Sequence, residues 1–115
     1  MIKNFDNYIN EGSEKDVTMF NSFKTKYRLG QHRKIIYYLN GQKRYEIWYL
    51  GGGMNHREDG PAIQIWYLNG NINHSEWWLD NIKYTREDWV NKLKEIKSPF
   101  YKEQKMLLNI EKYNL

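Results

Sequence analysis

Tyr37-Tyr38-Leu39-Asn40-Gly41 returns 29 positions later as Trp66-Tyr67-Leu68-Asn69-Gly70. Two further blocks repeat at the same offset: Trp48-Tyr49-Leu50 as Trp77-Trp78-Leu79, and Arg57-Glu58-Asp59 as Arg86-Glu87-Asp88. One offset shared by three separated blocks is the mark of stacked supersecondary units. Each aromatic run ends in Asn-Gly, a dipeptide suited to the two positive-φ positions of a type I′ turn, so each block predicts a β-hairpin. The first spans 35–50, with strands 35–39 and 42–50. The second spans 63–79. Two-residue turns set Tyr37 opposite Arg44, Arg33 opposite Trp48, Tyr67 opposite Ile72, Ile65 opposite His74 and Trp66 opposite Asn73.

Outward from the hairpins, Gly51-Gly52-Gly53 and Asp59-Gly60-Pro61 read as connector and turn. A short strand over 82–84 follows Asp80-Asn81. Thr85 with Asp88 three positions on forms a capping signal for a helix to about Lys97, with Trp89, Leu93 and Ile96 on its inner face. Ser98-Pro99 opens a second helix. In the first thirty residues a short helix is expected around 5–10, then a further segment over 17–27 with no type assigned. The expectation is one α+β domain over 1–115: an N-terminal helical or irregular segment (1–30), an antiparallel meander of hairpins (31–84, four or five strands from about 34) and C-terminal helices (85–115).

Composition narrows the function classes. No cysteine is present, which excludes disulfides, thiolate nucleophiles and cysteine-ligated zinc. No apolar run approaches the roughly 20 residues that cross a bilayer, so no membrane association is expected. The polar N-terminus is unlike a secretory signal, and a cytoplasmic location is expected. The formal charge of +4 is spread thinly. The exception is an acid-free basic stretch with Lys24, Lys26, Arg28, Arg33 and Lys34.

The block His56-Arg57-Glu58-Asp59-Gly60-Pro61-Ala62, followed by Ile65-Trp66-Tyr67-Leu68-Asn69-Gly70 and Trp77-Trp78-Leu79, resembles a degenerate MORN-like repeat of the kind found in proteins of tailed phages and giant viruses. The resemblance covers roughly 27–89. The first copy departs from the motif, with Tyr27-Arg28-Leu29-Gly30-Gln31-His32-Arg33 in its place, and the third keeps Arg86-Glu87-Asp88 but runs into a helix. It implies stacked hairpins and an interaction scaffold rather than an activity. Ile2-Lys3-Asn4-Phe5-Asp6-Asn7-Tyr8-Ile9-Asn10-Glu11-Gly12 looks like leader segments of T4-like phages, and Ile9-Asn10-Glu11 fits the pattern their prohead proteases cut. Together these imply a phage protein acting in the infected cell or packaged in the virion.

No catalytic residue, cofactor or metal is assigned from the sequence. His56, Glu58 and Asp59 are the best acid–base candidates, with Arg57 to stabilise negative charge. Three polar residues in one turn more often satisfy local backbone groups. On that reading His56→Ala spares biological activity, whereas Gly60→Val damages folding. His32, His56 and His74 lack paired ligand spacing. The aromatic surplus, five Trp and ten Tyr, either stabilises a thin sheet through cross-strand pairs or builds an interface. For a host-protein partner the binding candidates are the exposed members of Trp48, Tyr49, Trp66, Tyr67, Trp77 and Trp78, with Arg57 as a polar anchor. The alternative ligand is a nucleotide signal or single-stranded nucleic acid. Lys24, Lys26, Arg28, Arg33, Lys34, Lys43 and Arg44 would then supply charge, and Tyr37, Tyr45 or Trp48 the stacking platform. Self-association through a strand edge is a further expectation, with no stoichiometry implied.

Overall fold

A computed structural model of the chain describes residues 13–19 and 27–113. The strands are β1 (Glu14–Met19), β2 (Gln31–Tyr37), β3 (Lys43–Leu50), β4 (Met54–Asn55), β5 (Ile63–Trp66), β6 (Ile72–Leu79) and β7 (Ile82–Tyr84), followed by helices α1 (Arg86–Glu95) and α2 (Tyr101–Tyr113). Every pairing is antiparallel, in the order β1-β2-β3-β5-β6-β7, with β4 also on β3. The fold is α+β, a meander carrying two C-terminal helices. The helix expected over 5–10 lies outside the described residues. The segment expected from 17 begins within β1. Glu14-Lys15-Asp16 conceals that strand because it lacks apolar alternation, and charged side chains are tolerated where a strand lies at the end of the sheet order.

The two repeated hairpins close identically, but not as type I′ turns. Gly41 N–H donates to the Tyr38 carbonyl and Tyr38 N–H to the Gln42 carbonyl; 29 residues on, Gly70 donates to Tyr67 and Tyr67 to Asn71. Only the glycines take positive φ, +89° and +93°. Asn40 and Asn69 instead accept the N–H of the residue two ahead on their side-chain oxygens. The extra turn residue shifts register at Ile36/Tyr37 and Ile65/Trp66, so Tyr37 faces Lys43 and Trp66 faces Ile72, while Arg33↔Trp48 and Ile65↔His74 stand as expected. Both central residues of the β6–β7 turn do take positive φ, Asp80 (48°) and Asn81 (65°).

Alternation sorts the strands onto two faces. Glu46, Trp48 and Leu50 are buried while Tyr45, Ile47 and Tyr49 between them are half-buried. Ile35 and Ala62 share the covered face. Helices α1 and α2 pack at its β6–β7 end, where Leu79, Trp89, Val90 and Leu93 form a core flanked by Trp77, Tyr84, Tyr101 and Leu108. Thr85 caps α1 by accepting the Asp88 N–H, and Ser98 accepts the Phe100 N–H just before α2. Ile96, expected inside, is 40% exposed because α1 ends there, and Val90 takes the inner position.

Candidate functional site

The turn that carries the acid–base candidates is an internal strut. Trp48 brackets it: its carbonyl accepts the His56 N–H and its N–H donates to the Ala62 carbonyl, so residues 57–61 leave the sheet between two bonds to one residue. His56 is fully buried. Its Nδ1 accepts the Asp80 backbone N–H at 3.0 Å, so Nε2 carries the proton and donates to Glu58 at 2.8 Å. Burial pushes the Glu58 carboxyl up, but hydrogen bonds from His56 and Ser98 outweigh it and hold the pKa below the ordinary value. Both ring nitrogens are therefore engaged in holding the chain together.

Arg57 lies 3.9 Å over the Trp48 ring, with Arg33 at 5.4 Å. Its Nε donates to Asp59, which also accepts the Tyr27 hydroxyl. Burial and that acceptor push the Tyr27 phenol up to about 12. Trp89 Nε1 and Gln104 Nε2 donate to the Arg57 and Asp59 carbonyls, latching both helices onto the turn. Trp48, 3% exposed, donates its indole N–H to Glu46, also buried, which takes Arg33 at 2.7 Å and Lys43 at 3.1 Å as well. Trp48 thus belongs to the interior, and the Arg57 side chain, 17% exposed, is held against it. The same Glu-x-Trp bond recurs as Trp78 to Glu76, with His74 on the same carboxylate. Glu46-Ile47-Trp48 and Glu76-Trp77-Trp78 carry that pattern in the sequence itself.

Most of the basic candidates are spoken for within the fold. Arg28 pairs with Asp80, Arg33 and Lys43 with Glu46, and Lys34 with Glu14. Lys43 also lies 4.7 Å over the Trp66 ring and Arg44 5.9 Å over Tyr38. Tyr37 is half-buried on β2. Lys24 and Lys26 lie outside the described residues. Arg28, Arg33, Lys34 and Lys43 are therefore each paired with a carboxylate, Arg33 and Lys43 sharing the one of Glu46.

Of the aromatic candidates, Trp77 packs beside the helix core. Trp66 and the 52% exposed Tyr67 lie at the tip of the second hairpin. Tyr49 and Trp78 share the other sheet face with Ile36, Ile47, Ile63 and Ile65, none of them among the sequence-based binding candidates, together with Tyr45. None of these seven side chains is buried. Ile36, Tyr45 and Ile65 line a depression of about 400 Å³ with Arg44 at its edge. Charges around this face are paired within it: Lys34 with Glu14, the Tyr49 hydroxyl with Asp16, and His74 and Lys83 with Glu76. What it offers is a half-buried apolar and aromatic surface bordered by paired charges. The isoleucines leave no sequence signal because strands with apolar residues on both faces give no clean alternation to read.

Among the described residues no three His, Asp or Glu side chains gather as a metal site, and no helix is long and apolar enough to cross a membrane. No family model matches the chain, and neither a curated protein nor a solved structure matches it.

Proposed function

We propose that this chain is a non-enzymatic protein-binding module, a small phage protein built on stacked MORN-like hairpins, that docks a host protein on the open face of its sheet. It would act in the cytoplasm of the infected cell, in host takeover or in countering a defence, or arrive there packaged in the virion. One observation carries the reading: Ile36, Tyr45, Ile47, Ile63, Ile65, Tyr49 and Trp78 lie on a single face, each half-buried, while Lys34, His74 and Lys83 of that face pair with carboxylates on it. Apolar patches of this kind on a folded domain mark interaction sites, and aromatics are enriched where interfaces form. A polyanion calls for a different surface, one whose cations are unpaired and release counterions on binding. Pairing of Arg28, Arg33, Lys34 and Lys43 with carboxylates favours a protein over a nucleotide or single-stranded nucleic acid. Catalysis is disfavoured because His56 spends both ring nitrogens on structure.

The test is affinity capture from host lysate with the wild-type chain and with Ile36→Asp/Ile65→Asp, whose charges fall in the middle of the open face. A stoichiometric host protein retained by the first and lost by the second, at similar melting temperatures, is the expected result. Retention by both would sink the assignment of the face. Salt-sensitive capture of a labelled oligonucleotide, without any protein, would restore the nucleic-acid reading.

A further inference from the structure

Helix α2 carries a second surface, separate from the open sheet face. Its inner side faces the core through Tyr101, Gln104 and Leu108. Along its outer side Met106, Ile110 and Tyr113 are 56%, 48% and 69% exposed. They stand at i, i+4 and i+7, which places them in one stripe on a helix about 20 Å long. With Tyr101, Lys102 and Lys105 they line a shallow depression of about 850 Å³ to which no acid contributes. The acids near the end of the helix are engaged with α1: Glu111 with Arg86, and Glu87 of α1 with Lys112. Among the described residues, Lys102 and Lys105 have no acidic partner.

We propose that this stripe is a docking site for an amphipathic helix with an acidic flank, supplied by a protein partner. An apolar stripe at i, i+4 and i+7 is the face that one helix packs against another, and the two lysines on the border call for carboxylates opposite them. A second copy of the chain is the poorer occupant, because its matching stripe brings two more lysines and no acid. An anionic lipid surface is poorer too. Helices that lie on membranes carry a strongly basic polar face, whereas α2 interleaves Lys102, Lys105 and Lys112 with Glu103 and Glu111.

The experiment uses fluorescence anisotropy with the full chain and two labelled helical peptides of about five turns, sharing a Leu stripe but flanked by Glu in one and by Lys in the other. The Glu-flanked peptide should bind about tenfold or more tighter than the Lys-flanked one, and Lys102→Glu/Lys105→Glu should invert that preference. Ile110→Asp should abolish binding of both while leaving the melting temperature unchanged. Ile36→Asp/Ile65→Asp should bind the Glu-flanked peptide normally, which keeps this site distinct from the sheet face. Equal affinity for both peptides, or binding to neither, overturns the proposal. So does tighter binding to phosphatidylserine vesicles than to the peptide, or dimerisation of the chain that Ile110→Asp abolishes.

Discussion

Gly60 shows how one position serves a whole strut. A Cβ built there would lie 2.8 Å from the Arg57 guanidinium carbon, which is itself held against Trp48 and by Asp59. The expected sensitivity of this turn to a larger side chain therefore arises from packing rather than from unusual backbone angles, since Gly60 does not take positive φ. Gly60→Ala should destabilise the fold by about 1–3 kcal/mol, as overpacking in a filled site does. His56 belongs to the same strut. Its replacement by Ala removes a fully buried ring, strands the Asp80 N–H and leaves the Glu58 carboxylate with only Ser98 of its two side-chain donors. A loss of about 2–4 kcal/mol is expected from cavity and unpaired groups together. An innocuous His56→Ala would require an exposed turn, and this one is internal. Urea titrations of the two variants check both figures; wild-type stability in His56→Ala would show that the ring is not structural.

At the level of elements, the hairpin tips depend on glycine for a reason that differs from the Asn-Gly reading. In the two repeated turns only the glycines, Gly41 and Gly70, take positive φ, each as the third residue of a three-residue turn, and the register shift beside each follows from that extra residue. Gly41→Ala places a Cβ in open space but in a disfavoured conformation, so it should cost about 1–2 kcal/mol. Gly41→Asn should cost less, since Asn tolerates that region better. Thermal melts of the two variants give the comparison; equal losses would mean the Cβ meets something other than backbone strain. The repeat itself, the hairpins, the two helices and the Thr85 cap are legible in the sequence, because periodicity, turn chemistry and caps are local signals. Strand β1 is not, since an end strand of Glu, Lys and Asp acquires its partner only through β2.

For the molecule as a whole, buried carboxylates link stability to pH. Burial raises the Glu46 carboxyl, but hydrogen bonds from Arg33 and Lys43 outweigh it, and the pKa lies below the ordinary value near 4.5, as it does for Glu58. A carboxyl with a depressed folded pKa stabilises the fold above its unfolded pKa, and that stability is lost as pH falls through the folded value. Stability should therefore be level with respect to these two groups above about pH 4.5 and decline below it. Glu46→Gln should be less stable at neutral pH and show a shallower acid decline. An unchanged acid slope in that variant, followed by urea midpoint against pH, would mean that Glu46 is not a principal source.

The chain by itself determined the hairpin repeat, the turn positions, the Thr85 helix cap and the exclusion of cysteine chemistry, all of which depend on neighbours within a few residues. Tertiary structure alone decided which aromatics are available. Trp48 and Trp78 both follow a glutamate by two residues and bond to it in the same way, yet Trp48 lies on the covered face and Trp78 on the open one. Their offset is 30 rather than the 29 of the repeat. In a strand a one-residue difference in phase moves a side chain to the opposite face, and only the packing of helices and strut on one of those faces makes that difference the difference between core and surface.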